Sequence, residues 1–132
     1  IRSLATKWVN KVEIDKSRID DLPITFSGGM LQRLQIAKNL ITSPNVIFMD
    51  EPTGGLDVSV QARVLDLIRS LVNELNLTVI IVSHDLAVIR LLADKMIVMK
   101  NGTVIESGLS DQVLEDPQQD YTQLLVSSVL HV

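Results

Sequence analysis

The sequence predicts an α/β fold in which a parallel sheet is covered by helices on both faces. Two apolar runs, at residues 46–49 and Thr78–Val82, have the uninterrupted hydrophobicity of strands buried on both sides. Between them, residues 59–75 repeat apolar side chains at helical spacing, which predicts a long crossover helix. A strand, a helix and a strand in this order indicate a parallel sheet, and its chemistry is expected at the carboxyl ends of the strands.

The other helices are predicted from apolar spacing and from the residues that end them. Ala5, Trp8 and Val12 share one face of a first helix, and Thr42-Ser43-Pro44 ends a second helix that begins near Ser27. In chain order, helices are predicted over residues 4–12, 27–41, 59–75, 86–93, 110–114 and 121–130.

A hairpin is predicted towards the end of the chain. The strands at residues 96–100 and 103–106 flank Asn101-Gly102, the strongest short hairpin signal, because both residues tolerate positive φ. We therefore expect an antiparallel edge to follow the parallel part of the sheet.

The composition excludes several classes of protein. The chain has 132 residues, a size that fits one domain, and none is Cys, so a disulfide scaffold, a thiolate metal site and a Cys nucleophile are excluded. Its apolar runs are far shorter than the roughly 20 residues of a membrane span. The formal net charge of -4 provides no overall basic field for nucleic acid. These features favour a cytoplasmic α/β protein.

A first candidate site is Ser27-Gly28-Gly29 at the start of a predicted helix. Adjacent glycines leave the backbone open to an oxygen-rich ligand, and a helix N-terminus offers unpaired N–H groups that suit phosphate. The plain alternative is an ordinary loop with a serine N-cap.

A second candidate is the pair Asp50-Glu51 at the end of the first predicted strand. One carboxylate can hold Mg²⁺ through water, and the adjacent one can orient or deprotonate an attacking water. The alternative is a solvated strand exit that happens to carry two acids.

Two further candidates lie after these elements. His84 follows the second strand and could donate a hydrogen bond to a terminal phosphate oxygen, or simply be a surface or capping residue. Gly55-Leu56-Asp57 precedes the long helix, for which Asp57 is a natural N-cap.

Together, these features resemble the ATP-binding-cassette (ABC) ATPases. The segment from Ser27 to Arg33 resembles the family's signature motif, and the strand ending in Asp50-Glu51-Pro52-Thr53 resembles its Walker B motif. Gly55-Leu56-Asp57 resembles the D-loop, and His84 the switch histidine. Two side chains depart from the family pattern: Phe26 stands where Leu is usual and Met30 where Gln is usual.

The resemblance extends to one branch of the family. Residues 54–63, 91–94 and 121–130 are similar to the ATP-binding subunits that serve bacterial carbon-phosphorus lyase systems for phosphonate breakdown. Importers of oligopeptides and nickel share the Asp57-Val58 stretch and the tail from Pro117 to Thr122. An importer ATPase is therefore the alternative within the same class.

A P-loop is missing from the sequence, because no Gly is followed by Lys anywhere in the chain. The resemblance implies an incomplete P-loop NTPase fold: parallel strands, covering helices and an antiparallel hairpin, without the P-loop half. Residues 1–132 are then the C-terminal portion of a nucleotide-binding domain, with the signature helix at 27–41, the Walker B strand at 46–50, the switch-histidine strand at 78–84, and the hairpin and last helices at 96–130. Without the P-loop strand, we expect exposed apolar strand faces.

The resemblance also implies roles for the candidate residues around ATP and Mg²⁺. Asp50 positions Mg²⁺, Glu51 acts as the general base or water-orienting group, and His84 contacts the γ-phosphate. Ser27, Gly28 and Gly29 contact the γ-phosphate of ATP held by a second ABC subunit in a dimer sandwich, and Asp57 couples the two sites.

The implied partners differ between the two branches. A lyase-type ATPase docks on the carbon-phosphorus lyase core complex, whereas an importer ATPase docks on transmembrane permease subunits and lies at the inner membrane. No nucleic-acid partner is implied. A hypothesis of another class is a non-catalytic interaction module, which binds a partner through the signature helix or the C-terminal helix and is inactive without the N-terminal half.

Overall fold

The computed structural model describes residues 1–129 and divides them into two compact units, of which the first is Ile1–Val82 and the second begins at Ser83. The first unit contains helices α1 (Arg2–Lys11), α2 (Gly28–Leu40) and α3 (Val58–Leu75) and strands β1 (Val46–Asp50) and β2 (Thr78–Val82). The second unit contains α4 (Leu86–Leu92), β3 (Lys95–Lys100), β4 (Thr103–Leu109), α5 (Ser110–Glu115) and α6 (Asp120–Val129). Leu130, the predicted end of the last helix, lies outside the described residues.

The predicted parallel strands are confirmed. β1 and β2 pair in parallel and in step, from Val46 opposite Thr78 to Asp50 opposite Val82. The ladder continues past the last pair, because the Glu51 N–H donates to the Val82 carbonyl at 2.8 Å. The carboxyl ends of both strands therefore lie side by side.

The expectation that helices cover both faces of this sheet is wrong for β1 and β2. Ile47 is buried, but Phe48 beside it is 73% exposed, and Ile80 and Val82 on the neighbouring strand are exposed as well. The alternation means that the helices of the first unit cover one face only. The expected exposed apolar strand face is thus present, and Phe48 is at its centre.

Helices α2 and α3 of the first unit begin at the capping residues that the sequence indicates. Ser27 caps α2 by accepting the Met30 N–H, and Asp57 caps α3 by accepting the Val60 N–H. Asn76 ends α3 in the left-handed conformation, at φ +51°. The core of this unit is formed by apolar side chains of the three helices, of β1 and of the segment that follows α1. They are Trp8, Val12, Ile14, Ile36, Ala37, Leu40, Ile47, Val64, Leu65, Leu67, Ile68 and Leu71.

The predicted hairpin is confirmed in the second unit. Asn101 and Gly102 both have positive φ, +50° and +76°, as the two central residues of a type I′ turn require. β3 and β4 pair with each other as a two-stranded antiparallel sheet, so the prediction that the hairpin forms an edge of the parallel sheet is wrong within residues 1–129. Within the described residues, the strand ladders of β3 and β4 run only between these two strands.

The second unit is tied to its last helix by one carboxylate. Glu106 on β4 accepts the backbone N–H of Gln118 at 2.8 Å and of Gln119 at 3.2 Å, just before α6 begins. These bonds, led by that from Gln118, lower the pKa of the Glu106 carboxyl. Across residues 1–129, no helix is both long and apolar enough to cross a membrane.

Candidate functional site

The two acids of the Walker B-like segment lie at the carboxyl end of β1. Asp50 is the last residue of the strand and is exposed, on the same sheet face as Phe48. Glu51 follows it and is half-buried. The position at the end of a parallel strand is where ligands are bound in open α/β sheets.

The backbone of Glu51 adopts a conformation that is uncommon for residues other than glycine. Its φ is +45°, and a non-glycine residue in this region stores strain of about 1–3 kcal/mol unless its surroundings compensate. Two hydrogen bonds hold it there, one from the Glu51 N–H to Val82 and one from the Gly54 N–H to the Glu51 carbonyl, at 2.9 Å. The chain therefore leaves β1 through a defined turn that begins at Glu51.

Asp57 lies at the other end of this loop and caps α3. Its carboxylate accepts the Ser59 hydroxyl at 2.7 Å and the Val60 N–H at 3.0 Å. These two hydrogen bonds lower the pKa of the Asp57 carboxyl, so it carries its negative charge near neutral pH. Asp57 is therefore the N-cap of α3, as the sequence indicates.

The signature-like glycines lie in the first turn of α2, directly against the start of α3. A Cβ added to Gly29 would be 2.2 Å from a methyl carbon of Val60, and one added to Gly28 would be 3.3 Å from a methyl carbon of Leu56. Gly29 is buried, whereas Ser27 and Gly28 are exposed. The absence of a side chain at Gly29 therefore allows two helices to approach each other, and the ligand contact expected of both glycines stays a prediction.

We predict that Gly29→Ala destabilises the chain by about 1–3 kcal/mol, because the new methyl group must displace Val60 in a packed contact. Gly28→Ala is the matched control in the same helical turn and meets Leu56 only at 3.3 Å. Urea unfolding of both variants, alone and in a Val60→Ala background, measures the difference. A Gly29→Ala variant that is as stable as Gly28→Ala would contradict this packing.

His84 belongs to the second unit, in the segment between β2 and α4, and its side chain is exposed. The next residue, Asp85, caps α4 by accepting the Ala87 N–H at 2.9 Å. The first unit thus brings together the signature-like glycines and the Asp57 turn, and it also carries Asp50 and Glu51. His84 lies near the start of the second unit.

Arg18 connects the two side chains that depart from the family pattern. Its guanidinium lies 4.4 Å from the centre of the Phe26 ring and 3.6 Å from the Met30 sulfur. It also pairs with Asp21 at 2.7 Å and donates to the Thr25 carbonyl. Phe26 and Met30 therefore pack around one cation beside Ser27, a cluster that no single residue in the sequence indicates.

Two polar side chains near the candidate residues donate hydrogen bonds that no sequence motif predicts. Arg33 donates to the carbonyl of Glu13 at 3.1 Å and so ties α2 to the end of α1. Gln61 on α3 donates to the carbonyl of Thr53, in the loop between Glu51 and Asp57, at 3.2 Å. Both bonds end on backbone carbonyls elsewhere in the chain, and no sequence motif indicates which carbonyl a side chain will reach.

The carboxylate oxygens at this site suit a metal ion that keeps most of its coordinated water molecules. Within residues 1–129, no three His, Cys, Asp or Glu side chains form a cluster that could enclose a metal ion. Mg²⁺ is usually held by one or two carboxylates together with water and substrate phosphate, a role that exposed Asp50 fits. The exposed start of α2 provides the N–H groups that a phosphate oxygen accepts from.

Comparison with known proteins reveals clear relatives. The pattern of the family described as ABC transporter matches residues 2–54. The chain is 71% identical, over 98% of its length, to the putative phosphonates utilization ATP-binding protein PhnK of Escherichia coli, of which it covers 52%. It is 43% identical, over 97% of its length, to the oligopeptide transport ATP-binding protein AmiE of Streptococcus pneumoniae, of which it covers 37%. The chain thus spans about half or less of the length of these relatives.

A solved structure has the same fold. The ATP-binding cassette MJ0796, in a dimeric post-hydrolysis state bound to ADP and Pi, superimposes with a TM-score of 0.69 at 30% identity. The match covers 82% of this chain and 46% of that cassette. The α/β architecture with parallel strands and an antiparallel hairpin is therefore shared with an ATP-binding protein of known structure.

Proposed function

Because the chain belongs to the ABC family of ATP-binding proteins, we propose that it forms part of an ATPase that uses ATP and Mg²⁺ to act on a partner complex. The observation that carries this proposal is the 71% identity over nearly the whole chain to an ATP-binding protein, with the Walker B-like acids at the carboxyl end of a parallel strand. The hydrolytic activity, its substrate and its partners belong to the proposal.

Each candidate residue has a role in this proposal. Asp50 holds Mg²⁺, which supplies charge neutralisation for the phosphates when bound. The Glu51 carboxylate accepts a proton from, or orients, the attacking water. The N–H groups and the Ser27 hydroxyl at the start of α2 bind the γ-phosphate of ATP held by a second ABC subunit, and His84 donates to the γ-phosphate of the chain's own ATP.

The contact between the glycines and the Asp57 turn supports a coupling role for Asp57. Gly28 and Gly29 pack against Leu56 and Val60, which flank the Asp57 turn, so a displacement of one segment moves the other. Asp57 would then link the ATP bound in one half of a dimer to the ATP bound in the other half. Dimeric ATP-binding cassettes such as MJ0796 support this arrangement.

We predict that this chain by itself does not bind Mg-ATP with micromolar affinity. A P-loop supplies most phosphate contacts in P-loop ATPases, and the sequence has no Gly-Lys pair. Isothermal titration of the chain with Mg-ATP measures the affinity directly. Micromolar binding would contradict the dependence on a P-loop segment.

Reconstitution tests the alternative of a non-catalytic module. The chain is mixed with, or joined to, the P-loop-bearing N-terminal half of the same ATPase, and hydrolysis is followed. Appearance of ATPase activity supports the proposed enzyme. Binding of the two halves without activity supports the interaction module instead.

We further propose that the complete ATPase serves phosphonate use through a carbon-phosphorus lyase system, since the identity to the phosphonates utilization protein is 71% and that to the oligopeptide transport protein 43%. Co-purification separates the two branches. A phosphonate ATPase is expected with a soluble lyase core complex, and an importer ATPase with transmembrane permease subunits in the membrane fraction.

A further inference from the structure

We propose that Gln61 is a positioning residue for the catalytic loop, residues 51–57, which joins the proposed water-orienting Glu51 to the Asp57 turn. The inference rests on the proposed ATPase function. It starts from the hydrogen bond between the Gln61 side-chain amide on α3 and the Thr53 carbonyl in this loop, at 3.2 Å.

The catalytic loop contains residues that allow it to move. Gly54 and Gly55 are consecutive, and Gly55 has φ +74°, a conformation that costs side-chain-bearing residues energy. Glu51, at the start of the loop, is itself in the left-handed region. A loop with this freedom holds one conformation only where contacts outside its own backbone select it.

Three contacts provide that selection. At the start of the loop, the Glu51 N–H bonds the Val82 carbonyl of β2. At its end, the Asp57 carboxylate caps α3. In the middle, Thr53 is only 2% exposed, and its carbonyl accepts the Leu56 N–H at 3.3 Å as well as the Gln61 amide.

Gln61 lies outside the loop, and its side chain donates a hydrogen bond to Thr53 in the middle of the loop. A buried carbonyl in a loop needs a donor, and without the Gln61 amide the Thr53 carbonyl retains only the longer bond from Leu56 within the loop. The turn that begins at Glu51 closes through Gly54, next to Thr53, so a shift of Thr53 is transmitted to Glu51.

We expect the loss of this hydrogen bond to lower the reaction rate, because the rate depends on the exact position of the group that orients the attacking water. A misplacement near 1 Å, caused by a change away from the reacting atoms, can cost about 100-fold in rate. Gln61 would not touch ATP or water, so nucleotide binding does not depend on it. Its loss is expected to lower kcat and leave KM for ATP unchanged.

The experiment compares variants of the complete ATPase. Gln61→Met keeps the side-chain length and removes the donor, and kcat is expected to fall about 10- to 100-fold with KM for ATP unchanged. Gln61→Arg places its Nε–H the same number of bonds from the backbone and is expected to recover most of kcat. Gln112→Met, an exposed glutamine on α5, is the matched control and keeps the original rate.

A double variant separates positioning from general destabilisation. Glu51→Gln with Gln61→Met is expected to be no slower than Glu51→Gln alone, because Gln61 acts through Glu51. Rate losses that multiply, or a KM that rises while kcat is kept, overturn the positioning role. Thermal unfolding identifies a Gln61→Met variant that does not fold, and Gln61→Asn, which keeps an amide too short to reach Thr53, then replaces it.

The outcomes distinguish this inference from the proposed function. If Gln61→Met hydrolyses ATP at the original rate while Glu51→Gln is slow, only the role of Gln61 is wrong. If Glu51→Gln itself hydrolyses ATP at the original rate, the proposed role of Glu51 is wrong and the inference falls with it.

Discussion

Glu51→Gln in the proposed full-length ATPase is expected to leave Mg-ATP binding intact and to lower turnover about 10²- to 10⁴-fold, the usual contribution of a positioned base. The amide has the shape of the carboxylate but cannot accept a proton from water at neutral pH. Binding is measured by titration and turnover by phosphate release, so the two effects are read separately.

The structure explains why we expect the loss of turnover for a substitution at Glu51 and not at the other glutamates. Glu51 follows a parallel strand directly, is half-buried, and has both its N–H and its carbonyl bonded. Glu74→Gln is the matched control, because this exposed glutamate on α3 pairs with Lys11. Undiminished hydrolysis by Glu51→Gln would remove Glu51 from the proposed role.

Ile47→Ala is expected to destabilise this chain by about 2–5 kcal/mol, whereas Phe48→Ala is expected to change its stability by less than about 0.5 kcal/mol. The two residues are neighbours on β1, but Ile47 is 6% exposed and Phe48 is 73% exposed. Removal of a buried side chain leaves a cavity, and removal of an exposed one does not. Urea unfolding at constant m-value measures both changes.

Unfolding measured at different protein concentrations is the control for the Phe48→Ala prediction. The exposed face around Phe48 could become buried by self-association, which would make the Phe48→Ala loss larger at higher concentration. Unfolding at two concentrations separates these cases. Equal losses for both variants at low concentration would mean that both faces of β1 are covered within the chain.

Much of the fold could be predicted because its signals are local. Ser27 and Asp57 bond to N–H groups three residues ahead, and Asn101-Gly102 satisfies its turn by its own backbone freedom. The helices follow from the spacing of apolar side chains along one face. These energies depend on residues within one or two turns, so the sequence predicts the corresponding elements and their order.

The candidate site was predicted only as a set of motifs. The strand order predicts that Asp50 and Glu51 lie at the carboxyl end of β1, but it does not predict the left-handed conformation of Glu51. The glycines are interpreted as a phosphate cradle, and the sequence does not indicate that Gly29 also packs against Val60. The residue pattern of a motif does not reveal which of its atoms contact the rest of the domain.

By itself, then, the sequence determined the α/β class, the capped helices, the type I′ hairpin and the carboxylates at the end of a parallel strand. Tertiary structure alone decided which face of β1 and β2 is exposed, that Gly29 packs on α3, and that Gln61 holds Thr53. The physical reason is the range of the interactions. Caps and periodicity act between near neighbours, whereas burial and side-chain bonds to loop carbonyls depend on which distant segments fill the surrounding space.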